Sequence, residues 1–313
     1  MADLEKQLTD SLETHKIKHI SEEIELFKKR RDEVKALLST HYGSRAYNPF
    51  MSGSFAKHTA INIKYDFDIV IPFKRDSFDT LENMFNDIHD YLKDNLEDVE
   101  EVRKQKVSIG IIFKEKNGIK VKLDVVPGRE INQDEYPLTG NLNLYLNKDT
   151  WGFQKGSWQK TNISAQVANI SRKSEERKVI RLLKIWKYYR GENYKSFLIE
   201  LFSIKALDGY SGESTVWARL KSTMQYIADH VTDESFQLLD PGNSSNNVLN
   251  TLDSVQRSNF KNTLENMLKN LETDEWWCSY YFPINEDYKD VLEKEKGYGE
   301  NAKTYPPTQK RFG

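Results

Sequence analysis

Residues 53–73 read GSFAKHTAINIKYDFDIVIPF, and this stretch decides the fold. A small-residue turn, Gly53-Ser54, gives way to a β-rich run that ends Asp66-Phe67-Asp68-Ile69-Val70-Ile71-Pro72. Side chains on a strand alternate between faces, so Asp66 and Asp68 share one face and Phe67 points to the other. Two carboxylates this close repel unless a cation stands between them. Magnesium takes hard oxygen ligands, one or two carboxylates together with substrate phosphates. A Gly-Ser turn that opens a short helix offers backbone N–H groups and a hydroxyl to phosphate oxygens. Glycine lets the backbone come close to them. Lys57 and Thr59 follow in the same turn region.

A third acid stands further along the chain. VSIGIIF (107–113) and IKVKLDVVP (119–127) read as strands, and Asn117-Gly118 between them is a strong hairpin signal. Asp124 falls on the second strand, which Pro127 is expected to end. If that strand pairs beside the one carrying Asp66 and Asp68, the three acids converge. One cation would then hold a triphosphate while a second activates an attacking hydroxyl. Singly, each piece is common: a D-x-D pair is more often a polar strand edge, and Gly-Ser turns are frequent. Their order and spacing together are far more specific.

The flanks read as helices. Residues 21–42 form one, with Ser21 as its cap and Glu22 and Glu23 at the positive end of its dipole. Residues 1–20 extend or precede it. An amphipathic helix spans 77–96, and 128–173 is polar and irregular, with Trp151 and Trp158. Helices follow over 175–191, where Val179, Leu182, Leu183 and Trp186 share a face and Gly191 stands at the end, and over 196–210, 214–231 and 252–272. DPGNSSNNV (240–248) reads as a loop, and the tail from about 296 as extended or disordered. The fold class is α+β: an N-terminal helix and a mixed sheet (1–160), a helical lobe (161–295) and a tail (296–313).

Composition narrows the functional classes. Across 313 residues the net charge is −2, so no global field draws the chain onto a nucleic acid. Cys278 is the single cysteine and makes no internal disulfide. No apolar run approaches the ~20 residues of a membrane span, and the N-terminus lacks the apolar stretch of a secretory signal. The reading is a cytoplasmic protein without a membrane partner.

The stretch 53–73 resembles the GS-x(n)-D-x-D signature of DNA polymerase β-like nucleotidyltransferases. More narrowly it resembles the cGAS/DncV-like nucleotidyltransferases (CD-NTases) and their relatives, the oligoadenylate synthases. VKLDVVP is similar to the family's third-aspartate strand, RLLKIWK (181–187) to its helical-lobe signature, SFLIELFSIKAL (196–207) to the helix after it, and LLDPGNSSNNV (238–248) to a late Asp-Pro…Asn-Val motif. Order and spacing agree from about 50 to 250.

The resemblance implies a polymerase β-like core packed on a helical lobe, with the active site in the cleft between them. Asp66, Asp68 and Asp124 would bind two Mg²⁺ or Mn²⁺ ions. Gly53, Ser54, Lys57, Lys184 and Ser196 would meet the triphosphate, and Phe197, where relatives often carry Tyr, would stack on a base. The implied product is a cyclic di- or trinucleotide made from NTPs, ATP among them, that activates an effector in anti-phage (CBASS) signalling. One cysteine cannot build the zinc insertion of the animal cyclic GMP–AMP synthases, so no DNA activator is expected. The terminal Gly313 suits joining to a target by an E1/E2-like ligase, against the plainer reading of a frayed end. A linear-product synthase, transfer to a protein or RNA, a nucleotide-sensing pseudoenzyme and an RNA-binding protein stay open.

Plainer readings attach to other residues. Lys184 taken alone is a snorkelling surface lysine. His58 is a packing or surface residue, and KKRR (28–31) a solvated face. Trp276-Trp277 with Tyr280 and Tyr281 is core packing, and Cys278 a buried small apolar residue.

Overall fold

The computed structural model describes residues 2–147 and 157–293. The first elements are α1 (Ala2–Thr14), α2 (Ser21–Tyr42), β1 (Phe50–Ser52), α3 (Gly53–Ala56), β2 (Asp68–Phe73) and α4 (Leu81–Asn95). The sheet continues with β3 (Val99–Lys104), β4 (Ile109–Phe113) and β5 (Lys122–Glu130). Then come α5 (Tyr136–Thr139), β6 (Leu142–Leu146), β7 (Ser157–Thr161) and α6 (Ile163–Ala168). The helical part holds α7 (Ser174–Tyr189), α8 (Ser196–Ala206), α9 (Val216–His230), α10 (Ser254–Thr273) and α11 (Trp276–Tyr281). A small ribbon of β8 (Leu239–Asp240) and β9 (Asn243–Asn247) interrupts it.

The strands form one mixed seven-stranded sheet in the order β1-β2-β5-β4-β3, with β6 and β7 continuing from β5. Among the described residues β2 and β5 run parallel and the other pairs of this sheet are antiparallel. The β4–β5 hairpin turns at Asn117 and Gly118, whose φ angles of 54° and 77° are those of the tight turn that matches strand twist.

The two faces of the sheet have different fates. Phe67, Ile69, Ile71 and Phe73, with Leu123 and Val125, bury against α2 (Phe27, Val34, Leu38) and α4 (Phe85, Ile88, Leu92). Phe67 stacks on Phe27. Alternation sends Asp68, Val70, Asp124 and Val126 to the opposite face. There only a small cluster of Val70, Val126, Leu142, Leu144 and Ile163 forms, and the acids stand at its edge.

The helical core gathers α7 to α11 around Trp186, Phe202 and Phe260, and it takes in Leu4, Leu8 and Leu12 of α1. The short non-α segment at residues 15–20 therefore separates two helices with different allegiances: α1 packs with the helical lobe and α2 with the sheet. A division near residue 160 does not follow the cores at the N-terminus.

Several local expectations are corrected. Ser21 is the first residue of α2 and not its cap; the cap position is Ile20, with no side-chain hydrogen bond. Asp66 and Phe67 approach β2, which begins at Asp68. Pro127 does not end β5, which runs to Glu130. The Asp124 N–H donates to Phe67 O, so alternation turns the Pro127 nitrogen away from β2. On that side β4 has ended at Val125 and β6 begins at Gly128, and the missing donor costs no ladder bond. The span 128–173 contains β6, β7 and α6, while Trp151 lies outside the described residues. Residues 240–248 carry β9. Within KKRR, Arg30 is buried, paired with Glu33 and Asp98 under the Phe113 ring. Trp276 is exposed at 58%, stacked on Tyr280, which in turn carries the Arg190 guanidinium. Trp277 and Tyr281 pack against the helical core.

Candidate active site

One row of residues crosses the sheet. Ser52 on β1 pairs with Asp68 on β2, Asp68 with Asp124 on β5, and Asp124 with Gly110 on β4. Two carboxylates therefore stand side by side on adjacent parallel strands, near the strand starts. Asp66 lies two residues before Asp68 and is exposed.

The electrostatics of the row are unfavourable for the protein alone. Burial pushes Asp68 up to about 7, helped by repulsion from Asp124 and Asp66 and opposed by Lys57. Asp124 is also raised, first by burial and then by Asp66. Among the described residues, no group of three or more His, Cys, Asp or Glu side chains is already gathered as a metal cage. The donor chemistry nevertheless fits a hard divalent cation. Asp68 and Asp124 are adjacent carboxylates for which burial and mutual repulsion outweigh the pull of Lys57 on the first and of Arg103 on the second, and Asp66 adds its charge to both; a hard divalent cation would relieve that repulsion.

The Gly-Ser turn abuts this row. Gly53 has φ of 66°, and a Cβ built on it would fall on Asp68 Oδ2. Only glycine lets the turn pass this close. Ser54 is the second residue of the single turn of α3, and its carbonyl accepts from Thr59 N–H. His58 is exposed beyond that turn, at φ of 55°.

The helical lobe supplies the facing wall. Lys184 on α7 is buried and donates to Thr59 O at 2.7 Å. It is not a snorkelling surface lysine. Burial lowers it to about 8, against the pull of Glu200 and Asp66. Lys57 is also buried and forms a 2.7 Å ion pair with Glu200 of α8. Its ammonium stands 4.7 Å from the Phe197 ring centre. Ser196, the first residue of α8, accepts a 3.4 Å contact from Lys187 Nζ. The structure thus brings Asp68, Asp124, Gly53 and Ser54 together on the sheet side. Lys57 and Lys184 join that group to α7 and α8, and Ser196 with Phe197 stands at the start of α8.

Three participants are absent from the sequence reading. Glu200 neutralises Lys57. Gln105 and Ser108 contact Asp124 from the turn before β4. A lone acid within SFLIELF was a visible signal for Glu200, because an unpaired charge is costly in an apolar helix. Gly110 inside a strand pattern hinted at a close approach. Nothing local marked Gln105.

No family model and no curated protein sequence matches the chain. Solved structures do. The Escherichia coli MS115-1 CdnC with ATP is 18% identical, with 89% of this chain and 96% of that one covered, at a TM-score of 0.67. The Elizabethkingia meningoseptica CdnE cyclic dinucleotide synthase with GTP and Apcpp is 16% identical over 78% of this chain and 91% of that one, at 0.56. The Vibrio cholerae DncV cyclic AMP-GMP synthase, solved with a linear intermediate, is 15% identical over 78% and 70%, at 0.54. The likeness to these solved structures shows the architecture: this chain has the fold of the bacterial cGAS/DncV-like nucleotidyltransferases.

Proposed function

We propose that the chain is a nucleotidyltransferase that joins NTPs into a cyclic di- or trinucleotide, releasing one pyrophosphate for each bond formed. The observation that carries this reading is the register of Asp68 against Asp124 on adjacent parallel strands, with the Gly53 backbone pressed on Asp68. That arrangement puts paired carboxylates beside a turn suited to phosphate.

Asp66, Asp68 and Asp124 would hold Mg²⁺ or Mn²⁺, which when bound offsets phosphate charge and makes a hydroxyl easier to deprotonate. The chain's own residues do the rest. Ser54 and the backbone of its turn receive triphosphate oxygens. Lys184 brings a positive charge to the leaving pyrophosphate, where charge grows in the transition state. Phe197 offers a ring face to a base, and Ser196 a hydroxyl to phosphate. A ribose hydroxyl of one nucleotide attacks the α-phosphorus of another. The P–O bond to pyrophosphate breaks and the hydroxyl proton leaves. A second bond, formed within the linear product, closes a two-nucleotide ring; a three-nucleotide ring takes one more addition before closure, with a third pyrophosphate released.

Two of the structural neighbours, CdnE and DncV, are named as a cyclic dinucleotide synthase and a cyclic AMP-GMP synthase, which supports a cyclic nucleotide product. Action through a cyclic-nucleotide effector in anti-phage defence belongs to the same proposal. Conjugation through Gly313 concerns a residue outside the described ones.

The test is incubation of the protein with all four NTPs, each radiolabelled in turn, in Mg²⁺ or Mn²⁺, followed by phosphatase and mass analysis. A phosphatase-resistant product that disappears in the Asp66→Ala/Asp68→Ala variant supports the reading. Labelled product that phosphatase degrades fully would replace cyclisation with linear synthesis. NTP binding that requires metal yet survives the double substitution would sink the assignment.

A further inference from the structure

Asp124 is held from outside the row of acids. Its Oδ1 accepts from Gln105 Nε2 at 3.2 Å, and its Oδ2 lies 3.4 Å from Ser108 Oγ. The same two residues are bound to each other. Ser108 Oγ donates to Gln105 Oε1 at 2.9 Å, and the Gln105 N–H donates to Ser108 O at 2.8 Å. The Gln105 amide is thereby oriented: its carbonyl is occupied by Ser108, so its NH₂ group faces Asp124. Ser108 has one proton and serves Gln105 or Asp124 at a given moment.

The backbone opposite makes room for this contact. Gly110 pairs with Asp124 across β4 and β5, and a Cβ built on it would fall on Gln105 Nε2. Any side chain there would push the amide off the carboxylate. The donors are also neutral. A lysine or arginine in this place would cancel the Asp124 charge, whereas an amide fixes the orientation and leaves the charge for a cation. A free carboxylate rotates in a broad two-fold torsion, so a single well-aimed donor changes how it presents its oxygens.

We infer that Gln105 is a positioning residue for a divalent cation at Asp124, held in place by Ser108 and admitted by the absence of a side chain at Gly110. This rests on Asp124 being a cation ligand, the reading proposed above. Partners of this kind, one step removed from the metal, change metal affinity by about 10- to 100-fold when removed.

Mn²⁺ binding to the full chain without nucleotide tests this, read by electron paramagnetic resonance titration beside thermal unfolding in chelator. Wild type should bind, and Asp124→Asn should not. Gln105→Ala should weaken binding by about 10-fold or more, with its metal-free melting temperature close to wild type. Gly110→Ala keeps Gln105 but displaces its amide, and should weaken binding alike. A Cβ at Gly110 would also lie 3.3 Å from Asp124 Oδ1, so if Gln105→Ala does not fold, Gln105→Met, which keeps the side-chain length without the donor, decides the matter: weakened Mn²⁺ binding supports the inference and wild-type affinity overturns it. Ser108→Ala should show a smaller loss. Wild-type Mn²⁺ affinity in Gln105→Ala or in Gly110→Ala overturns the inference. So does a loss of affinity that tracks lost thermal stability. Wild-type protein that binds no Mn²⁺ either alone or with a non-hydrolysable NTP analogue, or Asp124→Asn that binds as wild type does, removes the cation assignment itself and this inference with it.

Discussion

Glu200 of α8 reaches Lys57 at the end of the Gly-Ser turn, carboxylate oxygen to ammonium at 2.7 Å, with both side chains buried. This ion pair ties the turn beside the paired acids to the helical lobe. Burial raises Glu200 even though Lys57 and Lys184 both favour its charged form, so desolvation is the larger effect. Removing one partner of such a pair leaves an uncompensated buried charge and costs about 3–5 kcal/mol. Glu200→Leu should therefore lower stability by about that amount in urea unfolding. Combining it with Lys57→Met should recover most of the loss. A double variant no more stable than Glu200→Leu would show that the pair is not the source.

The raised Asp68 makes the metal-free protein pH-sensitive in a definite direction. Its folded-state value of about 7 stands above the ordinary 3.8. Between these values the unfolded chain has released the proton and the folded one retains it. Stability from this group is therefore fully present below about pH 4 and is lost as pH rises to about 7. Asp68→Asn should be more stable than wild type at pH 8 in chelator, by something on the order of 2–4 kcal/mol, and no different at pH 4. Added Mg²⁺ should raise the wild-type melting temperature more than that of the variant. Calorimetry across pH checks both; a variant less stable than wild type at pH 8 would contradict the repulsion argument.

Gly53→Ala combines two costs. The backbone is at φ of 66°, and the new methyl would fall on Asp68 Oδ2. Alanine where φ is positive costs about 1 kcal/mol or more, and the displaced carboxylate should forfeit cation binding. Nucleotide transfer should fall at least about 100-fold, as a misplacement of about 1 Å does elsewhere, while the melting temperature drops modestly. Product formation at wild-type rate would mean that the turn does not approach Asp68 in this way.

Lys184, lowered by burial to about 8, should lose its positive charge as pH passes 8. Triphosphate affinity of the wild type should fall between pH 7 and 9. Lys184→Met should bind more weakly and with a flatter profile, measurable by titration of a fluorescent NTP analogue. The stability contribution has the opposite sense: a depressed lysine favours the folded state as pH rises from about 8 toward 10.5. Binding and stability should thus diverge over that range. Equal pH profiles for wild type and variant would remove Lys184 from the phosphate site.

Within KKRR the residues should separate. Lys28→Ala and Lys29→Ala, both exposed, should change stability by no more than about 0.5 kcal/mol. Arg30→Ala removes hydrogen bonds to Glu33 and Asp98 and a guanidinium 4.8 Å from the Phe113 ring centre. It should cost about 1–3 kcal/mol. Chemical denaturation of the three variants gives the comparison.

The strand character of 68–73, the hairpin at Asn117-Gly118 and the long helices were legible because their signals are local. Alternation, turn chemistry and helical periodicity act over a few residues and survive into the fold. β6, LNLYL, does carry a strand's alternation, which reading 128–173 as irregular passed over. β7 and β9 were not legible, since short polar strands such as SWQKT and NSSNN owe their conformation to the partner they pair with. The same limit applied to Arg30 and Trp276. A charged residue is buried only if Asp98, far off in sequence, arrives to pair with it, and a tryptophan is exposed only if no element covers it.

By itself the sequence determined which residues carry carboxylates, where the tight turns fall, and that Asp68 faces the opposite way from the buried Phe67 and Ile69. It did so because the strand period is set by backbone geometry. Only the tertiary structure decided that Asp68 lies against Asp124, that Gly53 touches the first and Gln105 the second, and that α1 packs with the helices while α2 packs with the sheet. Those outcomes depend on strand register and on which apolar faces meet. They are fixed by contacts between residues tens of positions apart, for which no local pattern exists.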